Sequence, residues 1–400
     1  MSGGIAVTGA GAVLASGTGV PAFWAAACEA RACVGPLRSA LLRSERVTAF
    51  AQVPEADDGR ARTAIARNLQ RYCTPALFWG AAALREALAE SELAPGDDGL
   101  RYGLYACQGG YTHPSMASYG AVLQACRRDG VADLRELTRQ VMQERAVDPF
   151  VVIKSLNSVL LGVLSLDMKL YCEGNAFMQG VAGNQAALQE ACAALHAGRI
   201  DVALLVGAGS DCDPLALADL VREGTISAEG AAQVLPYDRH SRGGIAGEGA
   251  VALVLRRHQD IAGPCVQVQP LGSHAELARL NLPDRPLALA VSSGSGRPAL
   301  DRALLQRLLD CGAEHVTSAL PVTGLLAAAP LFADVLLARQ ALLEGEVPPI
   351  AGLHAAVLDT PALVRDQVRI AALDAALVVG RDANGFSSAC LLQRSDAGLP

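Results

Sequence analysis

The sequence predicts an α/β protein in which helices cover a sheet on both faces. Short apolar strands alternate with apolar helices along the whole chain, as where "IAVTGAGAV" at 5–13 precedes an apolar helix at 21–32. The same alternation starts again after residue 265, so we expect a duplicated layout of two similar halves. The polar stretch 256–264 ends in a proline and predicts the boundary between a first half, 1–258, and a second half, 259–400.

Each predicted element follows from its apolar pattern and from the glycines, prolines or polar residues that bound it. Buried strands are predicted at 5–13, 103–107, 176–179, 202–206, 250–255, 266–271, 287–291, 375–379 and 389–393. Helices are predicted at 21–32, 75–89, 134–145, 157–168, 185–197, 299–309 and near 325–343. In the helix at 185–197, Leu188, Ala191, Cys192 and Leu195 recur at three- and four-residue steps, which indicates one packed face.

Composition limits the possible functions. The chain has 400 residues, of which 51% are hydrophobic, so it can bury substantial cores. The net charge of −7 is made of interspersed acidic and basic residues, so no nucleic-acid partner is expected. No apolar run is long enough for a membrane span, and the first residues lack the features of a signal peptide, which predicts a cytoplasmic location. Eleven cysteines without a C-x-x-C pair predict reduced thiols, and seven scattered histidines predict no metal site.

Residues 178–211 predict a strand, a sharp glycine-rich turn, a long helix and a second buried strand. This arrangement is typical of a nucleophile at a helix N-terminus, where the helix dipole stabilises an anion. The turn itself, "QGVAG" at 179–183, contains no Ser, Cys or Thr. The pattern therefore predicts an elbow that lacks a nucleophile.

Two longer motifs give the chain a family resemblance. They are the opening "IAVTGAGAVLASGTGVPAFW" and "LPYDRHSRGGIAGEGAVALVL" at 235–255. Both resemble signatures of the β-ketoacyl synthases of the thiolase superfamily, and the second matches them at Asp238, Arg242, Gly243, Gly247, Glu248 and Gly249. The resemblance implies a thiolase-like fold, with the duplicated halves forming a layered α-β-α-β-α sandwich.

The family's chemistry needs a cysteine nucleophile and two histidines. When this chain is matched to the family's motifs, Val181 falls at the cysteine position, Ser293 at the first histidine and Gly324 at the second. Neither "SSGSGRPALD" nor "ALPVTGLLAAAP" contains a histidine. The resemblance thus implies that no catalytic residue remains. Gln179 can occupy the lost cysteine position in a rearranged turn, or it is an ordinary turn residue at the interface.

A catalytically empty copy resembles the chain-length factors of type II polyketide synthases and similar aryl-polyene subunits. That resemblance implies a heterodimer with an active ketosynthase, and acyl chains delivered on the phosphopantetheine of an acyl carrier protein, with no cofactor of its own. It also implies that an edge strand at 175–179 pairs across the interface. The predicted interface and tunnel residues are Asn175, Phe177, Met178, Gln179 and Met116, although Met116 also suits a plain surface loop.

Two other functions are compatible with the residues. One is a divergent acyltransferase that uses Ser293 or Cys172, and the other is a non-catalytic scaffold for carrier protein. In all three cases, we expect the signature residues Asp238, Arg242, Gly247, Glu248 and Gly249 to be structural. Glu248 and Arg242 are expected to form a charged pair that is costly to break.

Overall fold

The computed structural model describes residues 4–36, 38, 47–96, 98–109, 114–178, 180–226, 235–382 and 385–395, without the side chains of residues 114–119, 214 and 215. The strands are β1 Ile5–Leu14, β2 Gly17–Thr18, β3 Gly35–Pro36, β4 Ala49–Phe50, β5 Tyr102–Gly109, β6 Arg127–Arg128, β7 Val131–Ala132, β8 Glu173–Phe177, β9 Val202–Ser210, β10 Glu248–Arg257, β11 Cys265–His274, β12 Leu287–Val291, β13 Ala313–Thr317, β14 Glu346–Val347, β15 Val368–Arg369, β16 Ala375–Arg381 and β17 Ser387–Ser395.

The helices are α1 Val20–Cys28, α2 Glu55–Ala61, α3 Pro75–Glu90, α4 Pro114–Ala125, α5 Leu134–Thr138, α6 Val151–Lys154, α7 Val159–Asp167, α8 Val181–His196, α9 Pro214–Arg222, α10 Pro298–Asp310, α11 Leu320–Thr323 and α12 Pro330–Glu344. Among the described residues, no helix combines the length and the apolar character needed to cross a membrane. All eleven cysteines are free thiols.

The main sheet contains the predicted duplication. Its strand order is β13-β12-β16-β17-β11-β1-β10-β9-β5-β8, and β2 pairs with β1. The run β1-β10-β9-β5-β8 and the run β11-β17-β16-β12-β13 each contain two antiparallel pairs followed by two parallel pairs. The two runs meet through a short antiparallel ladder, Ala6 with Gln267 and Val7 with Val266. The exact boundary at 258/259 stays a prediction.

Three cores define the layers. Helices α8 and α12 pack with strands of both runs in one central core. Helices α3 and α7 cover the outer face of the first run, and α10 covers the outer face of the second. The order is helix, first run, helix, second run, helix, which is the predicted α-β-α-β-α sandwich.

Four predicted elements differ from the structure in their bounds or helix type, and two of them flank the elbow. β8 is Glu173–Phe177, so it ends two residues before the predicted strand at 176–179. α8 begins at Val181 and not at 185, because the glycine inside its first turn does not stop the helix. α12 begins only at Pro330, a residue whose fixed φ and missing N–H suit the first turn of a helix. The predicted helix at 134–145 is α-helical over Leu134–Thr138 and continues as a π-helix over Arg139–Gln143.

Candidate functional site: an elbow without a nucleophile

The elbow lies between β8 and α8. Gly180 caps α8 with a φ of 91°, and its N–H donates to the Ala327 carbonyl at 2.9 Å. A Cβ on Gly183 would lie 1.9 Å from the carbonyl oxygen of Met178, so only glycine fits there. The turn glycines thus allow the strand to enter the helix within a few residues. The predicted strand–turn–helix arrangement is confirmed.

Val181 is the first residue of α8 and is only 1% exposed. Its side chain lies over Gly380, where an added Cβ would be 2.7 Å from Val181 Cγ1. The N-terminus of this sixteen-residue helix therefore presents an isopropyl group at the place where the resemblance puts a thiolate.

Two of the three positions matched to the lost catalytic groups line one cavity, and the third is adjacent to it in the chain. A cavity of about 110 Å³ is lined by Ser293, Gly324 and Gly180, the residue directly before Val181. No thiol or imidazole of the described residues lines it. Ser293 and Gly324 therefore face the same cavity, while the Val181 side chain is buried in the core directly after the lining residue Gly180.

Ser293 is held by a buried carboxylate. Its hydroxyl donates to Asp334 Oδ1 at 2.5 Å and its N–H donates to Oδ2 at 3.2 Å. Asp334 lies in α12 and is fully buried, and burial raises its pKa to about 7. The Ser318 hydroxyl donates to the Ser293 carbonyl at 2.9 Å. A carboxylate with this pKa can act as a general base near neutral pH, so it can accept the proton of the Ser293 hydroxyl and make that oxygen more nucleophilic.

Gly324 follows the short helix α11 with a φ of 62°. A Cβ at this position would lie 2.7 Å from Ala51 Cβ and 3.1 Å from Gly247 Cα. Gly247 in turn leaves no room for a side chain, since its Cβ would be 2.3 Å from the Thr323 carbonyl oxygen. Two backbone segments are therefore in direct contact where the resemblance puts a histidine.

Cys172 does not line the cavity. It is half-buried beside the outer core of the first run, and burial raises the pKa of its thiol, with the Glu173 carboxylate adding to the shift. Cys107 is the thiol whose sulfur contacts the start of α8, at 3.7 Å from the Gly183 carbonyl oxygen, and burial raises its pKa to about 12. Neither thiol favours the thiolate that nucleophilic attack requires.

Sequence reasoning missed several charged residues of the cavity. Asp211 directly follows β9 and is 8% exposed; burial, with the neighbouring Asp213 carboxylate, raises its pKa to about 7. Arg297, Arg381 and Asp382 also line the cavity. The polar run "SDCD" at 210–213, immediately after a buried strand, was the available signal, because ligand sites lie at the carboxyl ends of strands.

A family model described as "Beta-ketoacyl synthase, N-terminal domain" matches residues 3–261, which is more than half of the chain. The chain belongs to the β-ketoacyl synthase family. This agrees with the resemblance that the sequence motifs indicated.

Three relatives from Streptomyces are similar to this β-ketoacyl synthase family member. The granaticin polyketide β-ketoacyl synthase 2 of S. violaceoruber is 33% identical over 40% of this chain and 44% of its own length. The ketoacyl synthase beta subunit of the tetracenomycin polyketide synthase, from S. glaucescens, is 28% identical over 59% and 65%. The actinorhodin polyketide β-ketoacyl synthase 2 of S. coelicolor is 26% identical over 98% of both chains. The chain therefore spans less than two thirds of the first two relatives and nearly all of the third.

Solved structures place the fold among the thiolase-like ketosynthases. The ishigamide ketosynthase/chain length factor has a TM-score of 0.77 at 19% identity and covers 100% of both chains. A type II PKS ketosynthase in complex with its acyl-carrier protein has a TM-score of 0.72 at 17% identity, with 98% and 100% covered. The predicted thiolase-like fold is confirmed.

The signature of the β-ketoacyl synthases is buried here, except for its arginine. Asp238 accepts hydrogen bonds from the backbone N–H groups of His240, His354 and Ala355 at 2.8, 2.8 and 2.6 Å. Burial alone would raise the pKa of Asp238, but these three donors hold it below its usual range. The carboxylate therefore ties residues 354–355 to the signature loop, a structural role.

Glu248 begins β10 next to Gly249, which pairs with Gly209 of β9. It accepts hydrogen bonds from the Ser210 hydroxyl at 2.8 Å and from the Val53 N–H at 3.2 Å. Burial raises its pKa to about 7. The predicted pairing of Glu248 with Arg242 is wrong, because Arg242 is exposed while the buried carboxylate is satisfied by neutral donors.

The predicted interface residues lie at one end of the sheet. β8 is an edge strand, as expected, and in the described chain it pairs only with β5. Asn175 is exposed, Phe177 packs partly against the central core, and Met178 is 63% exposed just beyond the strand. Gln179 lies outside the described residues. Met116 lies in helix α4 and not in a plain loop, but its side chain is outside the description.

Exposed apolar side chains accumulate before this edge strand in the chain. Asn157 links them to the elbow, since its side-chain amide donates to the sulfur of Met178 at 3.3 Å. A groove nearby in sequence is lined by Val141, Met142, Val147, Phe150 and Val152. The exposed large apolar residues of this region are Val131, Leu134, Met142, Val152, Ile153, Leu156, Leu166, Tyr171 and Met178. Exposed apolar surface of this kind is typical of an interface with another protein.

Proposed function

We propose that the chain is a catalytically empty ketosynthase-like subunit, a chain-length factor, that pairs with an active β-ketoacyl synthase. In the pair it shapes the tunnel in which a polyketide, polyene or fatty-acid-like chain grows. The observation that supports this most strongly is the cavity at the elbow. The scaffold that positions a nucleophile is retained there, while Val181, Ser293 and Gly324 stand at the three matched positions.

The edge strand supports the pairing. β8 has an open edge, and exposed apolar residues precede it in the chain. Such an edge promotes aggregation unless another chain covers it. The beta-subunit name of one relative and the ketosynthase/chain length factor name of one structural neighbour agree with a paired subunit. We expect an antiparallel pairing of this strand with the partner's equivalent strand, within an interface that buries about 2,000 Å² or more.

The acyl substrate would come from outside the chain. A structural neighbour is a ketosynthase bound to its acyl-carrier protein, which supports delivery of acyl groups on the phosphopantetheine of such a carrier. The proposed subunit needs no cofactor of its own, because the chemistry would occur in the partner. The cytoplasmic location stays a prediction.

The decisive experiment is a condensation assay. The full chain is purified alone and after co-expression with an active ketosynthase, and condensation of acyl and malonyl thioesters on a carrier protein is measured. We expect no product from the chain alone and product from the pair. If the chain alone condenses substrates and keeps this activity in the Val181→Ala and Cys172→Ala variants, the proposal is wrong. A pure scaffold is distinguished by product length, which would not change when residues facing the tunnel are substituted.

The hydrogen bond between Ser293 and Asp334 favours one second candidate, an acyltransferase that forms an ester at Ser293. Mass spectrometry of the chain after incubation with an acyl thioester tests this directly. Acylation that is lost in Ser293→Ala supports an acyltransferase that uses Ser293. Acylation at Cys172 would support an acyltransferase that uses this thiol. An unmodified chain supports the empty subunit.

A further inference from the structure

Three helices begin at the cavity beside the elbow. Gly180 caps α8, Arg297 caps α10 and Pro330 is the first residue of α12, and all three residues line the cavity. These helices contain 16, 13 and 15 residues. The first N–H groups of a helix have no partner within the helix and carry a partial positive charge, although here the Leu331 N–H of α12 donates to Asn184 Oδ1 at 3.2 Å. Three of them at one small cavity create an environment that favours an anion.

Two arginines add full positive charge to the same cavity. Among the described residues, no hydrogen bond or ion pair involves the guanidinium group of Arg297 or that of Arg381. The Nε of Arg381 is buried without a hydrogen-bond partner. A buried donor left unsatisfied destabilises the fold, so such a group usually has a ligand or another polar partner.

Asp211 provides a third unpartnered group. Its side chain is more than nine-tenths buried and lines the cavity, and none of the hydrogen bonds of the described residues uses its carboxyl oxygens. Burial raises its pKa to about 7, so below neutral pH it is a neutral acid that can donate a hydrogen bond. The rest of the wall includes the Asp382 carboxylate, several hydroxyl groups and an apolar part with Leu300, Leu320 and Leu326.

We infer that this cavity binds a small organic anion, a carboxylate or a phosphate monoester with a short apolar tail. Its anionic head would accept hydrogen bonds from Arg297 and Arg381 near the helix N-termini, and its tail would lie against the leucines. The inference does not rest on the proposed function. A subunit that pairs with a ketosynthase could do so whether or not this cavity holds an anion, so the failure of one proposal leaves the other standing.

The test is calorimetric titration of the full chain, in whatever assembly it purifies, with four probes. Hexanoate and hexyl phosphate have both head and tail, inorganic phosphate has the head alone, and hexanol has the tail alone. We expect at least one of the two amphipathic anions to bind about tenfold or more tightly than hexanol and inorganic phosphate. Whichever of the two binds more tightly identifies the head group as a carboxylate or as a phosphate ester.

Variants of the two arginines separate this site from any other. Arg297→Gln and Arg381→Gln should each raise Kd about tenfold, as loss of a hydrogen bond to a charged group does, and Arg381→Lys should restore part of the loss. Arg285→Gln removes an exposed arginine outside the cavity and should leave Kd unchanged. If a co-purified partner subunit also binds the probe, it does so equally with every variant, so this contribution does not affect the differences in Kd between variants. The inference is wrong if neither anion binds, or if both single variants bind as tightly as the wild type.

Discussion

The two ends of the main sheet are equivalent in topology but differ in how they are covered. β13 ends the second run, and the chain itself covers it: the Val316 N–H donates to the Ala362 carbonyl at 2.7 Å, and the Val364 N–H donates to the Val316 carbonyl at 3.1 Å. The Thr317 hydroxyl also donates to the Pro348 carbonyl at 2.7 Å. β8 ends the first run and, in the described residues, has no strand on its outer side.

This difference teaches where an assembly surface can arise in a duplicated fold. Both halves have the same strand order, so each has one terminal strand, β8 or β13, with no further strand of the main sheet on its outer side. The second half fills its edge with the segment between β14 and β15 and buries Val316 completely. Among the residues that the structure describes, the first half leaves its edge uncovered, next to the elbow where the active site of an enzyme would be. An open edge at this place allows a partner to reach the elbow directly.

The largest effect is expected from a charge placed at the open edge. Phe177→Asp or Met178→Asp should split the complex with an active ketosynthase, because a carboxylate in an apolar seam loses its hydration without gaining a partner. Size-exclusion chromatography of the co-expressed pair measures the loss. The partner should then lose activity or release products of altered length.

The matched control is Ala372→Asp, which introduces the same charge at an exposed residue of the second half and should leave the complex intact. The comparison between the two ends fails if the chain is a stable monomer with or without the ketosynthase. It also fails if both edge variants leave product length unchanged.

At the covered end, a substitution should affect stability and not assembly. Val316→Ala removes two buried methyl groups, so we expect the free energy of unfolding to fall by about 2 kcal/mol. Chemical denaturation gives this value, and co-purification with the ketosynthase should be unchanged. Dissociation of the pair without loss of stability would show that β13 is also an interface.

The buried carboxylate Glu248 tests whether the family signature is structural. Glu248→Ala leaves the Ser210 hydroxyl and the Val53 N–H without their acceptor, which should cost about 1–3 kcal/mol of stability. Glu248→Gln keeps an acceptor oxygen and should cost less. Thermal unfolding of both variants measures the difference. Full stability of Glu248→Ala, combined with loss of product formation, would instead assign Glu248 a direct functional role.

The last expected effect is on the pH dependence of stability. Burial raises the pKa values of Asp211, Asp334 and Glu248 to about 7, whereas in the unfolded chain such groups titrate near pH 4. Between these values the folded state binds more protons, so stability decreases as pH rises from 5 to 7, by at most about 1.4 kcal/mol per pH unit for each group. Above pH 7 this contribution is constant.

Asp334→Asn keeps a hydrogen-bond acceptor for Ser293 but cannot titrate, so it should flatten this decline. Asp238→Asn is the control, since the pKa of Asp238 is lowered and this carboxylate stays ionised throughout the pH 5–7 window. Denaturation at pH 5, 6 and 7 distinguishes the two. A slope that is unaffected by Asp334→Asn would mean that Asp334 titrates normally in the folded protein.

Local pattern predicted most of the sheet and the elbow. β1, β10, β12 and β16 are continuous apolar runs, and such runs identify strands that are buried on both faces. β13 was missed because "AEHVT" mixes polar and apolar residues, and only its tertiary cover makes it a strand. The matched positions 293 and 324 line one cavity, with Gly180 beside position 181, and the polar run after β9 pointed to Asp211, but the sequence does not assign Arg297 or Arg381 to the cavity. Their sequence neighbours do not reveal that three helices begin at the same place.

The backbone contact at Gly324 limits which substitutions this site can accept. A histidine at position 324 would have to adopt a positive φ, which strains any residue that has a side chain. Ala51 and Gly247 would have to move away at the same time. Val181→Cys alone would give a thiol with no imidazole beside it. Under the proposed function, a return to catalysis would need several of these changes together, whereas single substitutions are enough to reshape the surface that faces a partner.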